Sequence, residues 1–113
     1  MSITDPASLA GNFVFQQTQV PIDASGELLV GSNLERVAII LSNVGNTAAN
    51  VNPTSAASNT AGMYLNAAGQ GGSTLTFWYH DVGGLVGEPW YGWAWSSGTT
   101  TIQIIEVIYR PSA

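Results

Sequence analysis

The chain has 113 residues, 45% of them hydrophobic and 8% charged, with two arginines, no lysine, seven acids, one histidine and a formal net charge of −5. So few cations count against nucleic acid and anionic membrane surfaces, both of which are held by clustered Lys and Arg. The absence of cysteine excludes disulfides, zinc–thiolate sites and thiol nucleophiles, and no apolar run approaches the roughly 20 residues a membrane helix needs.

The start, Met1-Ser2-Ile3-Thr4-Asp5-Pro6, has neither a basic nor an apolar signal region, so the expectation is folding in the cytoplasm. The first 10–20 residues hold few core-forming positions and read as an extended arm that gains order by docking on a neighbour. This divides the chain into an arm with a first strand (1–20) and a β-sandwich domain (21–113).

Residues 12–20 are rich in aromatic, Thr and Val side chains and read as a strand stopped by Pro21. Residues 27–30 form a short second strand between Gly26 and Gly31. Residues 36–43 are nearly continuously apolar and too short for a helix, which suits a central strand buried on both faces. Asn43-Val44-Gly45-Asn46 is a turn. Residues 48–52 make a short strand before Pro53, and 54–60 an exposed loop or inter-subunit contact. Residues 62–65 are a brief strand, followed by a glycine-rich turn at 68–72.

Residues 73–79 alternate, placing Leu75, Phe77 and Tyr79 on one face, and 81–84 break the run. In residues 90–95, Tyr91, Trp93 and Trp95 share one face and Trp90, Gly92 and Ala94 the other, where the small residues indicate close approach of a neighbour. Ser96-Ser97-Gly98 is a hairpin-type turn. Residues 99–110 are the longest β run, and Glu106 breaks its alternation, so the strand is either sandwiched or bulged near Ile104-Ile105. No helix is expected beyond a turn at 6–10. Seven to nine short strands with frequent turns predict an all-β fold: a single antiparallel β-sandwich, jelly-roll-like, with an extended N-terminal arm.

Chemistry-bearing patterns are sparse. His80-Asp81 is the one adjacent histidine–carboxylate pair. A hydrolytic triad also needs a converging nucleophile, and no serine sits in a nucleophile-elbow pattern; His80 also reads simply as the end of a strand and Asp81 as the start of a turn. No metal, cofactor or catalytic residue is assigned. Six aromatics fall between Trp78 and Trp95, enough for a glycan-stacking platform, while Tyr91, Trp93 and Trp95 suit, more economically, core or a protein interface. Arg36 and Arg110 each pair with a carboxylate such as Glu35, Glu88 or Glu106, or anchor an interface.

The scarcity of charge is the strongest functional signal. A folded chain of this size exposes roughly 5,900 Å², so nine charges leave about one per 650 Å², against a typical soluble domain that is about a quarter charged. A freely diffusing monomer carries a mixed, charge-rich surface. This composition points to a surface covered by copies of itself or by a larger assembly.

A set of segments then resembles a known family: Asn33-Leu34-Glu35-Arg36-Val37-Ala38-Ile39-Ile40-Leu41-Ser42-Asn43-Val44-Gly45, Val51-Asn52-Pro53, Gly62-Met63-Tyr64-Leu65, Asp81-Val82-Gly83-Gly84-Leu85-Val86, Trp90-Tyr91-Gly92-Trp93 and Ser97-Gly98-Thr99 leading into 101–109. Their order is similar to that in small β-sandwich structural proteins of tailed bacteriophages, the head decoration or cement proteins. The likeness spans about 33–110, is one of strands and turns, and carries over no enzymatic residue. It implies a non-enzymatic virion protein on the capsid surface, a homotrimer that bridges major capsid subunits. A tail-fibre, receptor-binding or carbohydrate-binding module is the alternative, and a hydrolase using His80 and Asp81 a third. The residues expected at contacts are Ile3, Leu9, Phe13, Arg36, Tyr91, Trp93, Trp95 and Arg110, with the 46–60 loop.

Overall fold

The run from Thr100 to Tyr109 has an apolar residue at nearly every second place, and it forms an inner strand of one sheet, paired on both sides. The structure is a computed structural model that describes residues 13–110. In chain order its elements are β1 (Phe13–Ile22), β2 (Glu27–Val30), β3 (Arg36–Asn43), β4 (Ala49–Pro53), β5 (Met63–Leu65), β6 (Thr74–Trp78), the single-turn helix α1 (Tyr79–Val82), a 3-10 turn (Gly83–Gly87), β7 (Trp90–Ala94) and β8 (Thr100–Tyr109). Sheet 1 has the order β1-β8-β3-β6 and sheet 2 the order β2-β7-β4-β5. Every pairing is antiparallel. Two four-stranded antiparallel sheets face to face, linked by chain crossings between them, are an all-β jelly-roll sandwich. The proposed arm at 1–12 lies outside the described residues.

Four expectations are corrected. β1 runs through Pro21 to Ile22, crossing the boundary drawn at residue 20; it is an edge strand, where a missing N–H costs no ladder bond if it faces outward. No bulge interrupts β8 at Ile104-Ile105: its register with β1 is continuous, and Glu106 is an inward-facing charge beside Ile104 and Ile108. The irregularity lies in β3, between Arg36 and Ala38. The run 73–79 ends as a strand at Trp78, and Tyr79 opens α1, a turn too short to show helical periodicity. The turn at 96–98 is no hairpin, because β7 and β8 belong to different sheets. Ser96 and Ser97 there take φ of 58° and 52°.

The core lies between the sheets. Ile39, Leu41, Ile102 and Ile104 of sheet 1 meet Val51, Leu65 and Trp90 of sheet 2. The Trp90 ring is fully buried and stacks on Phe77 across the gap at 5.2 Å. Its indole Nε1 has no hydrogen-bond partner among the described residues. Gly92 is small for the reason the sequence suggests: a Cβ there would lie 3.0 Å from Ile22 Cδ1 and 3.1 Å from Leu29 Cδ2.

Two buried polar clusters tie the ends of the sandwich. At one, Arg36 is 1% exposed and donates from Nε to Glu106 Oε2 (2.9 Å), from Nη1 to the Val86 and Glu88 carbonyls (2.9 and 3.0 Å) and from Nη2 to the Gly31 carbonyl (2.7 Å). Nη2 also lies 2.9 Å from Glu106 Oε2. Four hydrogen bonds and an ion pair thus engage the guanidinium. At the other end Thr100 Oγ1 donates to Asn43 Oδ1 (2.7 Å), and Asn43 Nδ2 donates to the Thr47 carbonyl (2.7 Å). Buried polar groups are tolerated when each finds a partner.

Candidate functional site

The outer face of each sheet is where this molecule has chemistry to offer. On sheet 1, registration places Phe15, Val107, Ala38 and Trp78 in one row across the four strands. The next row is Gln17, Ile105, Ile40 and Thr76, and the third Gln19, Gln103, Ser42 and Thr74. Gln19 Nε2 donates to Gln103 Oε1 at 3.1 Å, and the Ser42 and Thr74 hydroxyls are 3.0 Å apart. These rows hold no Asp, Glu, Lys, Arg or His. In the first row the edge residues are exposed, Phe15 by 72% and Trp78 by 42%, while Val107 and Ala38 between them are buried. Sequence reasoning singled out neither Phe15 nor Trp78 as a contact. The signal was present in the alternation of residues 13–19, which sets Phe13, Phe15, Gln17 and Gln19 on one face.

The acidic residues lie elsewhere. Asp23, Glu35, Asp81 and Glu88 are in connections or α1, Glu27 opens β2, and Glu106 is buried. Asp23 and Glu27 brace the β1–β2 turn: the Asp23 N–H donates to Glu27 Oε2 (3.1 Å), and the Ser25 hydroxyl lies 2.5 Å from Asp23 Oδ1 and 2.8 Å from Glu27 Oε1. The Glu27 side chain, then Ser25, holds the Asp23 carboxyl below its ordinary value. A depressed carboxylate stabilises the fold above its unfolded-state pKa and loses that contribution as pH falls through the folded value.

The outer face of sheet 2 carries Tyr91, Trp93 and Trp95, all half-buried. Trp93 and Trp95 meet edge to face at 4.8 Å. Their indole N–H groups donate to the Ala24 carbonyl and to Asn50 Oδ1, both at 3.0 Å. The 54–62 connection is not a free loop. Ala57 is 3% exposed, its carbonyl would meet a Cβ on Gly26 at 2.9 Å, and the Ser58 carbonyl accepts from Asn50 Nδ2 at 2.8 Å. Beside it an open depression of about 470 Å³ is lined by Asn46, Thr47, Ala48, Tyr64, Trp95 and Ser96, again without a charge.

The other expected residues are placed as follows. Ile3 and Leu9 lie outside the described residues. Phe13 opens β1 and meets Tyr109 edge to face at 5.9 Å. Arg36 uses its donors inside the fold, and its carboxylate is Glu106 rather than Glu35 or Glu88. Arg110 is exposed and makes no ion pair among the described residues, contrary to the expectation that it takes a carboxylate. His80 Nε2 and Asp81 Oδ1 are 3.5 Å apart, with both side chains more than half exposed. His80 stacks near Trp78, and no hydroxyl hydrogen-bonds it among the described residues. No helix of the described residues is long and apolar enough to cross a membrane.

Eight antiparallel strands with uncharged outer faces define the class: an all-β jelly-roll sandwich. No protein-family model and no curated protein matches the chain. Among solved structures, a chain of Bacillus endospore appendages, described as a novel family of disulfide-linked pili, matches with a TM-score of 0.54 at 10% identity, over 88% of this chain and 90% of the other. At that identity the likeness is one of fold.

Proposed function

We propose that this chain is a non-catalytic structural subunit that associates with copies of itself and docks on a larger protein surface, as a capsid decoration protein of a virion does. The observation that carries the reading is the outer face of sheet 1, twelve registered positions without an ionic side chain and with Phe15 and Trp78 exposed. Exposed apolar area rimmed by polar residues marks interaction surfaces, and aromatics with few charges are what interface centres enrich. The resemblance to phage cement proteins favours a shell. The fold shared with a pilus protein is compatible with repeated assembly, although a chain without cysteine cannot form disulfide links.

Light scattering across micromolar to millimolar protein tests it. Discrete oligomers, a trimer among them, are the expected result. A monomer throughout, also in the presence of candidate shells, overturns it.

The uncharged depression beside Tyr64 and Trp95 supports a second reading, a site for a neutral glycan, since binding sites combine aromatic walls with a few polar groups. Under it a glycan changes the tryptophan fluorescence, and Tyr64→Ala abolishes the change. Silence across a broad glycan panel removes this reading and leaves the first untouched.

A further inference from the structure

Among the described residues, sheet 1 is open at both edges: β1 has β8 on one side and no strand on the other, and β6 has only β3. Open edges present unpaired backbone N–H and C=O groups, and proteins blunt them with charged side chains, Pro, bulges, short strands or cover. Here neither edge strand carries a charge, and β1 pairs with β8 without a bulge over ten residues. Residues 15–19 are all exposed, on both faces of the strand. That exposed run is five residues long, and so is β6.

We propose that these two edges are complementary halves of one contact: β1 of one copy adds to β6 of the next, head to tail, and extends sheet 1 across the seam. The proposal rests on the self-assembling reading above and names its surface.

Three observations fix the occupant as a second copy. The first is direction. With each neighbour antiparallel along β1-β8-β3-β6, β6 runs opposite to β1, so a copy set alongside in the same orientation offers β6 antiparallel to β1. The second is register. Phe15 and Trp78 end the same row at opposite edges, as do Gln17 with Thr76 and Gln19 with Thr74. Continuing the rows unstaggered sets Phe15 against the next copy's Trp78 and the glutamines against its threonines. The two exposed aromatics of this face then cover one another, a favoured cross-strand pair. Pro21, which cannot donate, lies beyond the paired run. The third is charge: two copies that each carry −5 meet with least repulsion where neither has an acid. A contact between two different patches closes into a ring or continues as a filament, so it accommodates a trimer.

The lack of native cysteine makes the test clean. Opposed residues in an antiparallel pair have Cα atoms about 4.5–5.5 Å apart, inside the roughly 4.4–6.8 Å a disulfide accepts. Gln17 and Thr76 are both exposed on the outer face, so Gln17→Cys and Thr76→Cys leave the core intact, which an unchanged near-UV circular dichroism spectrum verifies. Mixed and mildly oxidised, the two single variants should give one product of twice the monomer mass, a disulfide joining position 17 of one copy to position 76 of the other, while each variant alone stays uncrosslinked. Self-dimers of either variant alone, or no product while the wild-type chain still associates, overturn the edge pairing and spare the assembly reading. A wild-type chain that never associates overturns both.

Discussion

Replacing Arg36 with alanine should destabilise the fold by about 3–5 kcal/mol, the range for removing one partner of a buried ion pair. The Glu106 carboxylate sits in a side chain only 9% exposed, and without Arg36 it has no cation near it among the described residues. Three carbonyls, of Gly31, Val86 and Glu88, lose their donor in the same step. They belong to the loop after β2 and the segment before β7, so Arg36 ties sheet 2 connections to sheet 1 strands. For a domain of this length the loss corresponds to a fall in Tm of roughly 13–20 °C. Urea unfolding followed by tryptophan fluorescence measures it. A loss under about 1 kcal/mol would show that the pair contributes little beyond its own desolvation cost. The double variant Arg36→Met with Glu106→Leu separates the two roles. Swapping a buried pair for apolar groups is often neutral or stabilising. Here the orphaned carbonyls, at about 1–3 kcal/mol for each buried unpaired group, should keep the double variant below wild type.

That cluster also marks the boundary of what the sequence discloses. Strand existence was largely legible: residues 27–30 coincide with β2, 36–43 with β3, and β4, β5 and β7 fall within a residue or two of their expected places. The two faces of β7 were legible as well, because Gly92 and Ala94 alternate with large aromatics. What misled was a charge on an inner face. Glu106 follows the inward alternation of Ile102, Ile104 and Ile108, but its partner lies 70 residues away, and no local pattern reports a contact at that distance. Pro21 misled for a related reason. It ends a central strand but not an edge strand, and edge status follows from pairing with β8 some 80 residues on.

The same distance hides the candidate surface. Phe15, Val107, Ala38 and Trp78 come from four separate segments, and only registration makes them one row. Composition showed that charge was scarce; the fold shows that the scarcity is concentrated. Exposed ionic groups occupy connections, α1 and strand termini, while the sheet faces between them stay neutral.

Gly45→Ala should destabilise the fold by an amount at the upper end of the 1–3 kcal/mol typical of overpacking, about 3 kcal/mol. A Cβ there would collide with Thr100 Oγ1 and lie 3.0 Å from Thr101 N and 3.1 Å from Thr100 Cα. Two of those three atoms are backbone of β8, a strand paired on both sides, so turning the Thr100 side chain away relieves the collision with its hydroxyl but not the tight backbone approach. The collision also strikes the polar cluster at this end: the Thr100 hydroxyl donates to Asn43 Oδ1, which accepts the Gly45 N–H at 3.1 Å as well. Pushing Thr100 aside therefore costs the hydrogen bonds that hold the β3–β4 turn to the sandwich. Adding Thr100→Ala removes the hydroxyl but not the backbone contacts, so it should recover only part of the loss. Gly71→Ala is the matched control, because a Cβ there meets nothing within 4 Å; restricting the unfolded chain should leave it neutral or stabilised by about 0.4–1 kcal/mol. Equal stabilities for the two variants in urea titration would mean that the β3–β4 turn moves freely away from β8, and the tight approach at Gly45 would then contribute nothing to the fold.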